Sequence, residues 1–446
     1  MTRFLIIGNG AAGISAAETI RQHDAQSPVT ILTAEPHRMY SRPGLAYIVT
    51  NTISAQQVVA RTSAWYEERR LELVQARAQR LDTEAQRLYV EDGRSLPYDR
   101  LLIATGARAV SPPYVDPDMH GVVYLDTLDG TKALMRAARR ARRGVVIGGG
   151  ITALELAEGF VQQRLDTHYF LRGDRLWSRV FTEAEGSILA HRMEEEGVTL
   201  HYDTEAEALL GNWRNHLRAV QLKGGGEFKC DLFGVGVGVR PQLEIVAQTP
   251  IATDRAILVN EYLESSVPNV YAAGDVAQVY DRWSQRHLLD ILWPSAVAEG
   301  KAAALNMLGK RLPYQKGIPF NACLLFGLHI TIIGQVNPQP EEGSGLQQTQ
   351  SWSRGSSDVW YTFPRSYKSA WAGQGDNSLR LVLDDSKLVG ALVMGNQSVA
   401  DPLRDLIEAG VDAAPLLPYL EADLNTLALQ IQRLWQQSAA PPEARQ

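Results

Sequence analysis

The sequence predicts a three-layer α/β fold with a further α+β domain toward its C-terminal end, on three observations. A short apolar strand, a glycine turn and a helix occur twice, at FLIIGNGAAG from Phe4 and at GVVIGGGITA from Gly144. Each copy is followed by another apolar strand, which makes a βαβ unit with a Rossmann-like, dinucleotide-binding turn. From about Pro319 the texture changes to short strand-like runs, LLFGLHITIIGQV and LRLVLDDSKLVGALVMG, which read as a mainly β domain.

In the first unit the strand runs from Phe4 to Ile7, the helix passes through Ile14 to Ile20, and the second strand covers Val29 to Leu32. The second unit repeats this with Gly144 to Ile147, Leu154 to Gln162 and His168 to Leu171. Between them, YDRLLIATGARAVSPP is an apolar strand that ends in Thr105 and Gly106 and leaves through prolines. DLFGVGVGVRPQ and NVYAAGDVAQV follow the second unit in a similar style, so the chain is expected to leave the first domain, build the second and return. The glycine-, serine- and glutamine-rich piece Pro338 to Gly355 reads as a mobile loop, and the final SAAPPEARQ as disordered. In the tail, Leu420, Leu424, Leu427, Ile431 and Leu434 fall at helical spacing. That face packs on its own domain or docks on a membrane surface or a partner; the scarcity of lysine and arginine on the polar face favours the first.

A chain of 446 residues has room for two or three domains, and its formal charge of −6 lacks the basic surplus of a nucleic-acid binder. A small-molecule enzyme is favoured. The opening MTRFLIIGNG reaches its glycine turn too early for a signal peptide, so a cytoplasmic location is expected. Cys230 and Cys323 have neither CxxC nor metal-ligand spacing, and the nine histidines show no metal pattern either. Redox chemistry, if present, must rest on a bound cofactor, and no metal is expected.

In Gly8-Asn9-Gly10-Ala11-Ala12-Gly13 the first glycine permits the tight turn, the second lets a pyrophosphate reach the backbone, and the third lets helix and strand pack closely. Glu35 lies just past the second strand, where a carboxylate can accept ribose hydroxyls.

Taken in order, GNGAAG, Glu35, YSRPGL from Tyr40, LLIATGA from Leu101, GGGITALELA and VYAAGDVA from Val270 resemble the FAD-dependent pyridine nucleotide–disulfide oxidoreductase superfamily over roughly residues 1 to 310. Within it, YSRPGL is similar to the rubredoxin and ferredoxin reductases, NADH oxidases and the flavin region of nitrite reductases. LVGALVMGN followed by LRDLIEAG resembles their C-terminal interface domain. The resemblance implies an FAD domain made of residues 1–112 and 248–316, an NAD(P)H domain over 113–247, an interface domain over 317–412, and a helix and tail over 413–446. It also implies a homodimer.

By the same resemblance, Gly8, Gly10, Ala12 and Gly13 hold the FAD pyrophosphate and Glu35 the adenosine ribose. Arg42 and Pro43 line the flavin cavity, the Ala78 backbone meets the adenine, and Thr105 and Gly106 close the site. Asp275 accepts a hydrogen bond from the ribityl chain. Trp293 starts a helix whose positive end faces the flavin. In the second unit Gly148, Gly150, Glu155, Arg172 and Gly238 are assigned to NAD(P)H, with Glu155 orienting the nicotinamide.

Four departures qualify this. Pro43 stands where single-cysteine members carry their thiol, and nothing between Ser41 and Ile48 can form a thiolate, so reduction through an enzyme disulfide is excluded. Tyr47 replaces the lysine that pairs with the second-motif glutamate in rubredoxin reductases, which leaves Glu155 without that partner. The second turn ends in Ala153, and Leu171 stands where an acid that selects NADH is expected. Leu171-Arg172 therefore fits NADPH better than NADH, with Arg172 facing the 2′-phosphate and Arg175 as a second contact. The alternative is a relay subunit that has lost nicotinamide binding.

The reading is a flavoprotein oxidoreductase in which hydride passes from NAD(P)H to FAD and electrons pass to a protein or small-molecule acceptor: a small iron–sulfur protein, another subunit, a quinone or oxygen. The basic run Arg136, Arg139, Arg140, Arg142 and Arg143 either docks an acidic carrier or is a solvated helix face.

Overall fold

The structure, a computed structural model, describes residues 1–281, 285–336, 352–361 and 367–439. Most of the predicted loop, Pro338 to Ser351, and the end of the tail from 440 onward lie outside the described residues.

Two five-stranded parallel sheets form the nucleotide units. In the first, Phe4–Ile7 lies between Val29–Thr33 and Arg100–Ile103, with Leu71–Gln75 and Val270–Ala272 at the edges. The late strand Val270–Ala272 thus returns to the sheet that the first residues began. In the second, Arg143–Ile147 lies between Asp166–Phe170 and Leu232–Val235, with Val198–His201 and Val122–Val123 outside them. The inner strands FLII and LFGV are buried along their whole length, as strands covered on both faces must be.

The helices begin where the glycine turns release them, at Ala11–His23 and Ile151–Gln162. The first packs on Trp293–Met307, where a Cβ on Gly300 would overlap the Ala12 backbone. Ala12 is therefore small for packing as well as for its place at the turn. In the second unit the missing third glycine is compensated across the sheet: a Cβ on Gly236, just beyond Leu232–Val235, would strike Ala153.

Two short strands, Ala107–Ala109 and Val239–Pro241, pair antiparallel where the chain crosses between the units. The C-terminal sheet is antiparallel, in the order Phe320–Leu325, Leu328–Gly334, Lys387–Met394, Asn377–Asp384, Tyr367–Gln374. Phe326 and Gly327 both take positive φ, the hairpin geometry that matches strand twist. The sheet shares one core with the second unit, in which Leu325, Ile330 and Leu392 meet Val146, Leu154 and Phe160. A buried Arg380–Glu185 ion pair at 3.0 Å ties the same two regions.

The tail forms the helix Leu424–Ala439, and Leu427, Ile431 and Leu434 are buried against Leu403, Leu406 and Leu416 of its own domain. Its apolar face is used internally, so it is not available as a membrane-docking surface. Ser438 and Ala439, read from sequence as part of a disordered end, belong to this helix. No helix among the described residues is long and apolar enough to cross a membrane. In the basic run Arg143 pairs with Asp166 at 2.6 Å, while Arg136, Arg139, Arg140 and Arg142 are exposed.

Candidate functional site

A cavity of about 770 Å³ opens along the first glycine turn and reaches the second unit and the C-terminal sheet. Of the residues assigned to FAD, it is lined by Gly8, Gly10, Ala12, Glu35, Arg42, Pro43, Ala78, Thr105, Gly106, Asp275 and Trp293; Gly13 lies behind the turn. Gly8 has φ +122°, and a Cβ there would overlap the Ala104 backbone. A Cβ on Gly13 would overlap the Gly8 carbonyl. Gly10, by contrast, faces open space within 4 Å, and as the helix N-cap it carries no side chain to occupy the N–H groups above it. Backbone donors, a helix N-terminus and room at the second glycine fit a dinucleotide pyrophosphate.

At one end Glu35 accepts from the Tyr40 hydroxyl at 2.7 Å and from Arg42 at 2.5 Å. Arg42 also donates to the Asp126 carbonyl, so its guanidinium is held at the Glu35 carboxylate. Thr105 and Gly106 are clamped by Gln242: the Thr105 hydroxyl donates to the Gln242 carbonyl at 3.0 Å, and Gln242 Nε2 donates to the Thr105 carbonyl at 2.7 Å. The two crossing segments are thereby locked at the cavity wall.

Asp275 follows Gly274, whose φ of +78° makes the turn. Burial raises the Asp275 carboxyl above its usual range, opposed by the charges of Arg354 and Arg42. The Gly274 N–H donates to buried Glu299 at 2.7 Å, and burial holds Glu299 well above its usual range. Trp293 and Pro294 open the helix that carries Glu299, and its first turn faces the cavity.

Glu155 reaches the same cavity from the second unit. Burial raises it to about 8, with Arg354 as the opposing positive charge. The cation missing at Tyr47 is thus supplied by Arg354, which also pairs with Asp126. Cys323 lines the cavity too, and burial followed by the charges of Glu155 and Glu158 pushes its thiol up, away from the thiolate. The thiol sought between Ser41 and Ile48 is absent, but one arrives from the C-terminal sheet in protonated form.

Gly148, Gly150, Arg172 and Gly238 lie outside this cavity's lining. Gly148 and Gly238 have φ of +136° and +111°, as tight turns require. Strand register moves the expected place of the acid. Glu35 lies three residues beyond Leu32, the partner of Ile7; three beyond Phe170, the partner of Ile147, is Gly173. Leu171 therefore matches Thr33, a buried strand end, and the acid's place is a glycine flanked by exposed Arg172 and Asp174. Gly150 differs from Gly10: a Cβ there would overlap the Ser353 hydroxyl.

Sequence reasoning missed Gln242, Glu299, Arg354 and Cys323. A lone acid in the small-residue helix AVAEGKAAA was a legible hint of Glu299, while Arg354 fell in a stretch read as loop. Among the described residues no group of three or more histidine, cysteine or acidic side chains could hold a metal.

Comparison with known proteins agrees with this geometry. The family model described as pyridine nucleotide-disulphide oxidoreductase matches residues 2–300. The chain is 31% identical over 311 residues to the anthranilate 1,2-dioxygenase system ferredoxin–NAD(+) reductase component of Burkholderia cepacia, covering 69% of this chain and 75% of that one. It is 25% identical over 413 residues to the nitrite reductase [NAD(P)H] of Bacillus subtilis, covering 92% of this chain but 48% of the relative, so it spans about half of that protein. The putidaredoxin reductase–putidaredoxin crystal structure superposes with a TM-score of 0.83 at 20% identity over 98% of this chain and 99% of that one, a likeness of fold. With its glycine turn, Glu35 and Asp275 gathered on one cavity, the chain belongs to the pyridine nucleotide-disulphide oxidoreductase family.

Proposed function

We propose that this protein is an FAD-dependent oxidoreductase that takes reducing equivalents from NAD(P)H, NADPH in preference to NADH, and passes them to a protein acceptor. The observation that carries the reading is the open face of Gly10 in a cavity that also gathers Glu35, Asp275 and Glu155. FAD, when bound, supplies the two-electron chemistry. The Gly8–Gly13 turn would bind its pyrophosphate, Glu35 its adenosine ribose, and Asp275 on its Glu299-anchored turn the ribityl chain. Glu155, held largely protonated at neutral pH, can donate a hydrogen bond toward a carboxamide. With Cys323 held as a thiol, no enzyme disulfide takes part.

NADPH is preferred because the acid's place is Gly173 and its neighbour Arg172 is exposed and positive. A protein acceptor of iron–sulfur type, or another subunit, is supported by relatives named as ferredoxin reductase components. The same resemblance carries a homodimer, which sedimentation would test. Anaerobic titration of the yellow protein with NADPH and, separately, NADH tests the whole reading. Fast loss of the flavin band with NADPH is expected. A relay subunit that no nicotinamide nucleotide reduces is the second reading, favoured by Ser353 against Gly150. Bleaching by dithionite and by neither nucleotide would select it.

A further inference from the structure

The two glycine turns have the same design, but only one of them is open. At Gly10 the side on which a pyrophosphate approaches is free, whereas the equivalent side of Gly150 is filled by Ser353. The Ser353 hydroxyl is buried there without a hydrogen-bond partner, so it gains nothing polar from the position. It is carried there by its neighbours. Trp352 and Val239 exchange both backbone hydrogen bonds, at 2.9 and 2.6 Å, which adds a strand to the crossing segment just after Gly238. Trp352 Nε1 donates to Asp358 at 2.8 Å, and Asp358 in turn accepts from Leu289 N and Arg255. Arg354 pairs with Asp126, and Gly355 N donates to the Ile291 carbonyl at 2.8 Å. The segment is thus pinned to both nucleotide units.

We propose that Trp352–Gly355 is an intramolecular strap that competes with the nicotinamide nucleotide for the second glycine turn. This rests on the reading that the second unit takes NAD(P)H. A pyrophosphate on Gly150 and the Ser353 side chain require the same space, so the nucleotide binds only when the strap has left. Release breaks the Trp352–Val239 pairing and separates Arg354 from Asp126, which removes the positive charge nearest Glu155. Nucleotide affinity is then lowered by the fraction of molecules in which the strap is seated.

The test uses the full FAD-loaded chain and oxidised NADP⁺, which binds without reducing. Binding is followed by perturbation of the flavin spectrum, and the Val239 and Trp352 amides by hydrogen exchange. Exchange at both amides is expected to rise when NADP⁺ binds. Ser353→Gly, which removes the overlapping atoms and lets the nucleotide bind with the strap still seated, should tighten NADP⁺ by about tenfold. Trp352→Pro, which removes one pairing N–H, should act in the same direction. If NADP⁺ binds while both amides stay protected and Ser353→Gly leaves its affinity unchanged, the strap is overturned and the proposed function stands. If neither NADP⁺ nor NAD⁺ binds the wild type or either variant, while dithionite still reduces the flavin, both fail.

Discussion

Arg354 and Asp126 pair across the cavity although they lie 228 residues apart in the chain, and the same guanidinium is the main positive charge acting on Glu155. The C-terminal segment therefore opposes, with one positive charge, the burial that governs the protonation of a carboxyl in the second nucleotide unit. Burial raises Glu155 from 4.5 to about 8, so it binds a proton more tightly folded than unfolded. Its contribution to stability is complete below pH 4.5 and is lost as pH rises through about 8. Thermal melts should show Glu155→Gln losing less stability over that window than the wild type. At subsaturating NADPH, where the rate reports the free protein with Arg354 in place, flavin bleaching should inflect near pH 8; Arg354→Gln should move that inflection to higher pH, and Glu155→Gln should abolish it.

The first glycine turn separates fold from cofactor. Gly8→Ala forces a side chain into positive φ and into the Ala104 backbone, and should destabilise the protein by at least about 1–3 kcal/mol. Gly10→Ala meets nothing in the protein, so melting of the apoprotein should stay within about 1 kcal/mol of wild type while FAD affinity falls. Apoprotein melts and FAD titration of the two variants check both halves.

Nucleotide preference should respond at Gly173. The position has open space and no positive φ, so a side chain fits. Gly173→Glu puts a carboxylate at the register counterpart of Glu35, and should shift the ratio of NADPH to NADH bleaching rates toward NADH by about tenfold or more. The same change at Leu171, which is 3% exposed, should damage folding instead.

Ile431 is fully buried under the C-terminal sheet. Ile431→Ala should cost about 2–5 kcal/mol, visible as an earlier melt of that domain. A tail that docked on lipid would instead tolerate the change in solution and lose vesicle binding.

Much of this was legible because it is local. FLII and GVVI followed by glycine announce strand, turn and helix within a few residues, and Glu35 follows at a fixed distance. Two of the three hairpins of the C-terminal sheet, at LLFGLHI and LVLDDSKLV, show the same economy. What escaped the sequence depends on residues brought together from far apart. Gln242 clamps Thr105 from 137 positions away, and Arg354 replaces a lysine sought beside Tyr47. The glycine and serine content that read as mobile loop up to Gly355 is, at Ser353 and Gly355, what lets the backbone lie close against its neighbours. That Gly173, and not Leu171, is the counterpart of Glu35 follows from strand register, which the sequence does not display.

The exchange between Ala153 and Gly236 reaches further. Register makes Gly236 the counterpart of Ala104, since Val235 pairs with Ile147 as Ile103 pairs with Ile7. In the first unit the methyl group sits on the strand end and the bare position on the helix; in the second the assignment is reversed. A rule usually written along one motif is thus satisfied by a pair of positions more than eighty residues apart, 153 and 236. In the second unit the helix carries the methyl because the strand end gives it up, so such a turn is better recognised by the sum of two volumes than by a fixed spelling.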